Sequence, residues 1–255
     1  MNLRFEVVGE GRPVVILHGL LGSADNWRSM SRRLGAHYQV FAVDLRNHGR
    51  SPHTDILDYD VMAADVREFM EQQALRRIML LGHSMGGKVA MQFAVEHSQQ
   101  VDRLIVVDIA PKAYEPSQRY LLKAMRSLDL SRYKSFADVD AALAPEVSSE
   151  SLRQFLIKNL ARNENGRLCW KMHLEAIDRN YDKLLRGLAA ERSFNKPTLF
   201  IRGGRSNYIE DDDALLIRQM FPQAEIVTLP EAGHWVHVDL PEEFCQTVVN
   251  FLNRA

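Results

Sequence analysis

Residues 82–88 read Gly-His-Ser-Met-Gly-Gly-Lys and fit two spacings with different chemistry. As Gly-x-x-x-x-Gly-Lys, the stretch is a loop whose backbone N–H groups cradle phosphates. Such a loop needs Ser or Thr after the lysine to ligate magnesium, and position 89 is valine. It also ordinarily follows the first strand of its domain, whereas strand-like apolar runs at 14–17 and 40–43 come earlier here. As Gly-x-Ser-x-Gly, the same stretch mounts a nucleophile. The apolar run 78–81 must turn sharply into a helix from Lys88 onward, leaving Ser84 at the apex of strained backbone with its hydroxyl presented. Gly82, Gly86 and Gly87 remove side chains that would collide in so tight a corner. The N–H of Met85 then points to where a tetrahedral oxyanion would form. An ordinary Gly-rich turn accounts for the glycines but gives Ser84 no task.

An oxyanion needs a second donor, and His18-Gly19-Leu20 after the run 14–17 would swing the N–H of Leu20 toward the same point. His18 is read as a brace for that loop. Serine attacks only once a base takes its proton, so a histidine must arrive from elsewhere. Of the nine histidines, His234 follows the last strand-like run and precedes the last helical period, which brings it to the sheet edge that carries Ser84. His237 is close by, but Trp235 and Val236 mark a segment that is already packing. His83 adjoins the nucleophile and must point away from it. Asp239 is expected to cap the helix that starts with Pro241 and Glu242. His234-x-x-His237 is too weak a spacing for metal, and no metal or cofactor is expected.

These residues need a scaffold. Short apolar runs rich in β-branched residues recur at 14–17, 40–43, 78–81, 104–107, 198–201 and 226–229, unbroken as in a sheet covered on both faces. Helical periods lie between most of them, which predicts an α/β fold with a mostly parallel sheet flanked by helices. The alternation stops between residues 111 and 192, where the periods are helical and no strand is expected. The chain therefore divides into a core of residues 1–110 and 193–255 and an inserted all-helical cap of residues 111–192. The insertion holds 15 Lys and Arg against 11 Asp and Glu, within a chain of 255 residues whose net charge is −1. A basic cap over an acidic body favours an anionic substrate, whereas the even overall charge gives no footprint for nucleic acid or an anionic membrane. Cys169 and Cys245 supply no disulfide framework and are expected as reduced thiols of a cytoplasmic protein. No signal or spanning segment is expected.

With Ser84, His234 and the His18-Gly19 turn in this order, the chain resembles the α/β-hydrolase superfamily along nearly its whole length. Asp44-Leu-Arg-Asn-His-Gly-Arg-Ser-Pro-His53, the serine motif and Val107-Asp-Ile-Ala-Pro111 resemble the small bacterial esterases of the YbfF-like type. That resemblance implies a helical cap and hydrolysis of carboxylic esters and acyl-CoA thioesters. The superfamily usually carries its acid after the strand that follows the cap, and Ser206 stands in that place here. Asp108 is the favoured replacement, because it ends the run 104–107, where an unpaired carboxylate would be costly to bury. Its alternative duty is a turn anchor ahead of Pro111. In the YbfF-like pattern Ser206 joins the same network, making four residues. Glu210 and Asp211 to Asp213 open a helix, where negative side chains favour its positive end.

The expected function is a serine esterase or thioesterase acting through an acyl-enzyme, with Arg119 and Tyr208 as substrate anchors at the cap's mouth. The expected partner is a small-molecule acyl ester or acyl-CoA, with the oligomeric state left open. The alternatives are a C–C bond or methyl-ester hydrolase of the same fold, and a non-catalytic receptor on a hydrolase scaffold.

Overall fold

Seven strands form one sheet, and the run of strand ends along it decides which residues can meet. The computed structural model describes residues 1–189 and 192–254. The strands are β1 (Phe5–Val8), β2 (Pro13–Leu17), β3 (Gln39–Val43), β4 (Ile78–His83) and β5 (Val101–Val107), then β8 (Thr198–Gly203) and β9 (Ala224–Leu229). Between β5 and β8 a separate hairpin pairs β6 (Leu160–Arg162) with β7 (Leu168–Trp170). In the large sheet the order is β1-β3-β2-β4-β5-β8-β9, parallel throughout except for β1, which runs antiparallel to β3. The chain goes from β2 outward to β3 and then returns past β2 to β4. Ligands of open α/β sheets bind beyond the carboxyl ends of strands beside such a reversal.

The unbroken apolar strands are covered on both faces, as their pattern requires. Val15, Leu17, Leu80, Leu104, Val106 and Phe200 belong to one core cluster, and their neighbours Val14, Ile16, Leu81, Ile105, Val107 and Ile201 to another. The first face is covered by α2 (Tyr59–Gln72) and α3 (Met85–Glu96), which follow α1 (Arg28–Leu34) in the chain. The second lies against α1 and the C-terminal helix, whose Phe244, Val248 and Phe251 are buried there. Among the described residues, no helix is long and apolar enough to cross a membrane.

The insertion contributes α4 (Arg119–Arg126), α5 (Phe136–Leu143), α6 (Glu150–Ile157) and α7 (Leu174–Leu185). Their apolar faces, including Leu121, Leu122, Val139, Leu156 and Ile177, join the first core cluster. The insertion is not all-helical: the β6–β7 hairpin corrects that expectation. Its turn holds Asn165 followed by Gly166 at φ 71°, a pair that favours hairpins, but three-residue strands carry too little alternation to stand out. β1 was also absent from the expected strands, as its four residues are partly exposed at the sheet edge. After β8 come α8 (Asp213–Met220), α9 (Val236–Asp239) and α10 (Pro241–Leu252).

Candidate active site

Adjacent strands β2, β4, β5, β8 and β9 end along one edge, and each delivers part of the site. At the end of β4 the chain reverses into α3 through Ser84, whose backbone sits at φ 52° and ψ −119°. This is left-handed space, costly for a residue with a side chain and kept where the surroundings enforce it. The packing does enforce it: a Cβ on Gly82 would lie 2.1 Å from the Gly86 carbonyl oxygen, and one on Gly86 would lie 2.4 Å from that of Leu17. Helix α3 can begin this close to β4 and β2 only with glycine at both positions.

A buried carboxylate lies at the end of the next strand. Asp108 is completely buried and, like Ser84, takes a left-handed backbone, with φ 49°. Its Oδ2 accepts a hydrogen bond from His234 Nδ1 at 2.8 Å and another from the Ser206 hydroxyl, while its Oδ1 accepts the Gly203 N–H at 2.9 Å. Three donors compensate the buried carboxylate. The contact to Asp108 places the His234 proton on Nδ1 and leaves Nε2 free as a base. The ring of Tyr208 stacks on that of His234 with centroids 4.0 Å apart, and the Tyr208 hydroxyl accepts the Gln118 amide at 2.7 Å.

The other histidines near Ser84 are occupied. His18 donates through Nδ1 to the Gly19 carbonyl and accepts the Leu45 N–H on Nε2, while His48 accepts the Leu21 N–H. His83 donates to the His234 carbonyl at 2.9 Å, and His237 stacks on Trp27 with centroids 4.0 Å apart. Burial lowers the pKa of His18 to about 4 and those of His48 and His237 to about 3, and pushes that of His83 well below the ordinary value. Bases so weak are poor proton acceptors at neutral pH. Among the described residues, no group of His, Cys, Asp and Glu is placed to hold a metal ion.

Around the expected oxyanion position, the N–H groups of Leu20 and Met85 donate to no protein acceptor among the described residues. Leu21, beside Leu20, is a further residue with positive φ, at 58°. Two cavities meet at Ser84. The larger, about 500 Å³, is lined by His234, Trp27, Leu121, Leu152, Phe155 and Trp235 among others. The smaller, about 50 Å³, is lined by Leu20, Met85, Lys88, Tyr59, Tyr114 and Tyr181 among others. Tyr208, Gln118, Ser117 and Leu20 line both beside Ser84.

Ser84, His234, Asp108, Ser206, Leu20, Met85 and Tyr208 are therefore brought together. Arg119 is not: its guanidinium pairs with Asp182 and lies 4.9 Å from the ring centroid of Tyr181, and it lines neither cavity. Much of the insertion's positive charge is spent in this manner, with Arg126 on Asp178, Arg153 on Asp140 and Lys171 on Asp25. Lys158 is the basic side chain that lines the large cavity. Asp239 does not cap α10. Its carboxylate accepts the Gly233 N–H at 2.8 Å and so closes the loop that carries His234. Asp213 accepts the Glu210 N–H and pairs with Lys112, and Arg202 pairs with Asp211, so these acids hold the start of α8. Sequence reasoning missed the Gln118 contact, which has no local signature. It considered Lys88 only as a phosphate ligand, although a position four residues past Ser84 shares its helix face.

This architecture and edge define an α/β hydrolase. The model of the family described as "alpha/beta hydrolase fold" matches residues 12–241, and the chain belongs to that family. Among solved structures it is similar to a marine microorganism esterase, with a TM-score of 0.95, 41% identity and 98% of each chain covered. It is 38% identical to the mouse (Mus musculus) sn-1-specific diacylglycerol lipase ABHD11 over 94% of this chain and 80% of that protein. To the Escherichia coli esterase YbfF it is 30% identical, over 94% of this chain and 93% of the other.

Proposed function

We propose that this protein hydrolyses carboxylic esters, and acyl thioesters by the same chemistry, through an acyl-enzyme on Ser84. The observation that carries the reading is the 2.8 Å contact between Asp108 and His234, with His234 and Ser84 lining one apolar cavity. His234 Nε2 takes the Ser84 proton as Oγ bonds to the carbonyl carbon, and the N–H groups of Leu20 and Met85 receive the oxyanion. The imidazolium, stabilised by Asp108, then gives its proton to the departing oxygen or sulfur. Water then attacks the acyl-serine as His234 takes its proton, and the bond from the acyl carbon to Ser84 Oγ breaks as that proton passes to Oγ, releasing the carboxylic acid. Relatives named as an esterase and a lipase support ester substrates. In this reading residues 1–110 and 193–255 carry the chemistry and residues 111–192 cap the cavity. An acyl-CoA would meet Lys158 there, not Arg119. Both cysteines are free thiols, which fits a reducing compartment such as the cytoplasm.

The test is stopped-flow hydrolysis of p-nitrophenyl acetate. The expected result is a burst equal to the enzyme concentration followed by steady turnover, with turnover reduced about a thousandfold or more in Ser84→Ala. Stoichiometric binding without turnover would instead make the chain a receptor on a hydrolase scaffold.

A further inference from the structure

An ester carbonyl attacked by Ser84 sends its acyl chain and its leaving group in different directions, and two cavities meet at that residue. His234 must protonate the leaving atom, so the leaving group belongs on its side. His234 lines the large cavity and is absent from the lining of the small one. The acyl chain is left with the small cavity, beside the two residues whose N–H groups are free for the carbonyl oxygen. Its volume of about 50 Å³ holds roughly four non-hydrogen atoms at about 10–15 Å³ each.

Lys88, one turn along α3 from Ser84, lines this small cavity and is 1% exposed. Its ammonium nitrogen donates to the Arg186 carbonyl at 2.6 Å and lies 4.8 and 5.5 Å from the ring centroids of Tyr114 and Tyr59. Among the described residues, no carboxylate comes within ion-pair distance of it. One of its three N–H groups is used by the carbonyl, which leaves donors for a ligand. Burial without a counter-charge lowers its pKa to about 7. A methionine would fill this space without that cost, and the catalytic steps above make no use of an amine.

We infer that the small cavity is the acyl subsite and takes a short acyl group ending in a carboxylate, which pairs with the Lys88 ammonium. The inference rests on the ester-hydrolase reading above. The substrates are then half-esters of short dicarboxylic acids, with the bulk of the alcohol or thiol in the large cavity. The other charged side chain lining the small cavity is Glu115, which is exposed. Recognition of the anion is therefore made at depth, by Lys88.

Benzyl esters test this with one common leaving group. In the wild-type enzyme, kcat/KM for benzyl hydrogen succinate is expected to exceed that for benzyl 4-oxopentanoate, its neutral isostere, by about tenfold or more, the worth of one charge-assisted hydrogen bond. Benzyl decanoate is expected about tenfold or more below benzyl butanoate. In Lys88→Met the succinate-to-oxopentanoate ratio falls to near unity. Equal rates for that pair in the wild-type enzyme, or decanoate preferred to butanoate, would overturn the inference and leave ester hydrolysis standing. No turnover of any of the four esters would overturn the underlying reading instead. The wild-type comparisons need no variant, so a Lys88→Met protein that fails to fold leaves the inference testable.

Discussion

The sheet edge and the insertion together line the two cavities that meet at Ser84 but are built by different rules. The edge places polar groups at the ends of buried strands, fixes Ser84 and Asp108 in left-handed backbone and compensates the buried carboxylate with defined hydrogen bonds. The insertion offers mostly apolar side chains from amphipathic helices, and many of its charges pair with one another on the outside. Sites that must hold atoms to fractions of an ångström are built on rigid elements with supporting hydrogen bonds. A wall that only has to admit or exclude a substrate can be made of packed side chains. Rate is therefore expected to depend on the edge and selectivity on the insertion.

The largest effect expected from a single atom change lies at the edge. Asp108→Asn keeps the shape but loses the charge that stabilises the imidazolium, and kcat is expected to fall on the order of a thousandfold or more in steady-state ester hydrolysis. Ser206→Ala removes one neutral donor and should cost about tenfold or less. The reverse ranking would place the acid on the wrong strand. On the insertion side, Phe155 packs on Trp235 with ring centroids 5.4 Å apart in the large cavity. Phe155→Ala is expected to raise KM for esters of bulky alcohols by about tenfold while kcat changes little, because binding area is lost without loss of geometry. A drop in kcat with KM unchanged would dissolve the division between edge and insertion.

A further expected effect concerns stability, and its sign follows from the buried histidines. His18, His48 and His237 have folded-state pKa values of about 4, 3 and 3 against an ordinary 6.5, and His83 is lowered in the same direction, all first by burial. Below 6.5 the unfolded chain takes up protons that the fold refuses, so stability is lost as pH falls from 6.5 toward 3. A melting temperature that declines steadily through that window is expected; a flat profile would show these rings to be solvated.

The edge was also the more legible region. The strand–serine–helix corner is local in sequence, because glycine spacing, apolar run and nucleophile fall within ten residues, and the turn at Leu20 is equally local. The acid could be argued because Asp108 ends a buried strand, where a carboxylate needs a reason. The insertion was legible only as a series of helical periods. Its β6–β7 hairpin was too short to register, and Arg119 could not be placed because the partner that claims it, Asp182, lies 63 residues away. Net charge over a segment says nothing of which charges cancel across helices. Lys88 failed to register for a different reason: its burial against Tyr59 and Tyr114 depends on two other segments of the chain.

Ser84, activated by His234 and Asp108, is the proposed nucleophile. Labelling with a fluorophosphonate, followed by peptide mapping, tests this assignment most directly. One covalent adduct per chain is expected, on Ser84, formed at a rate that Asp108→Asn lowers in step with ester turnover. An adduct on another residue, or full ester turnover in protein whose Ser84 is quantitatively blocked, would contradict it.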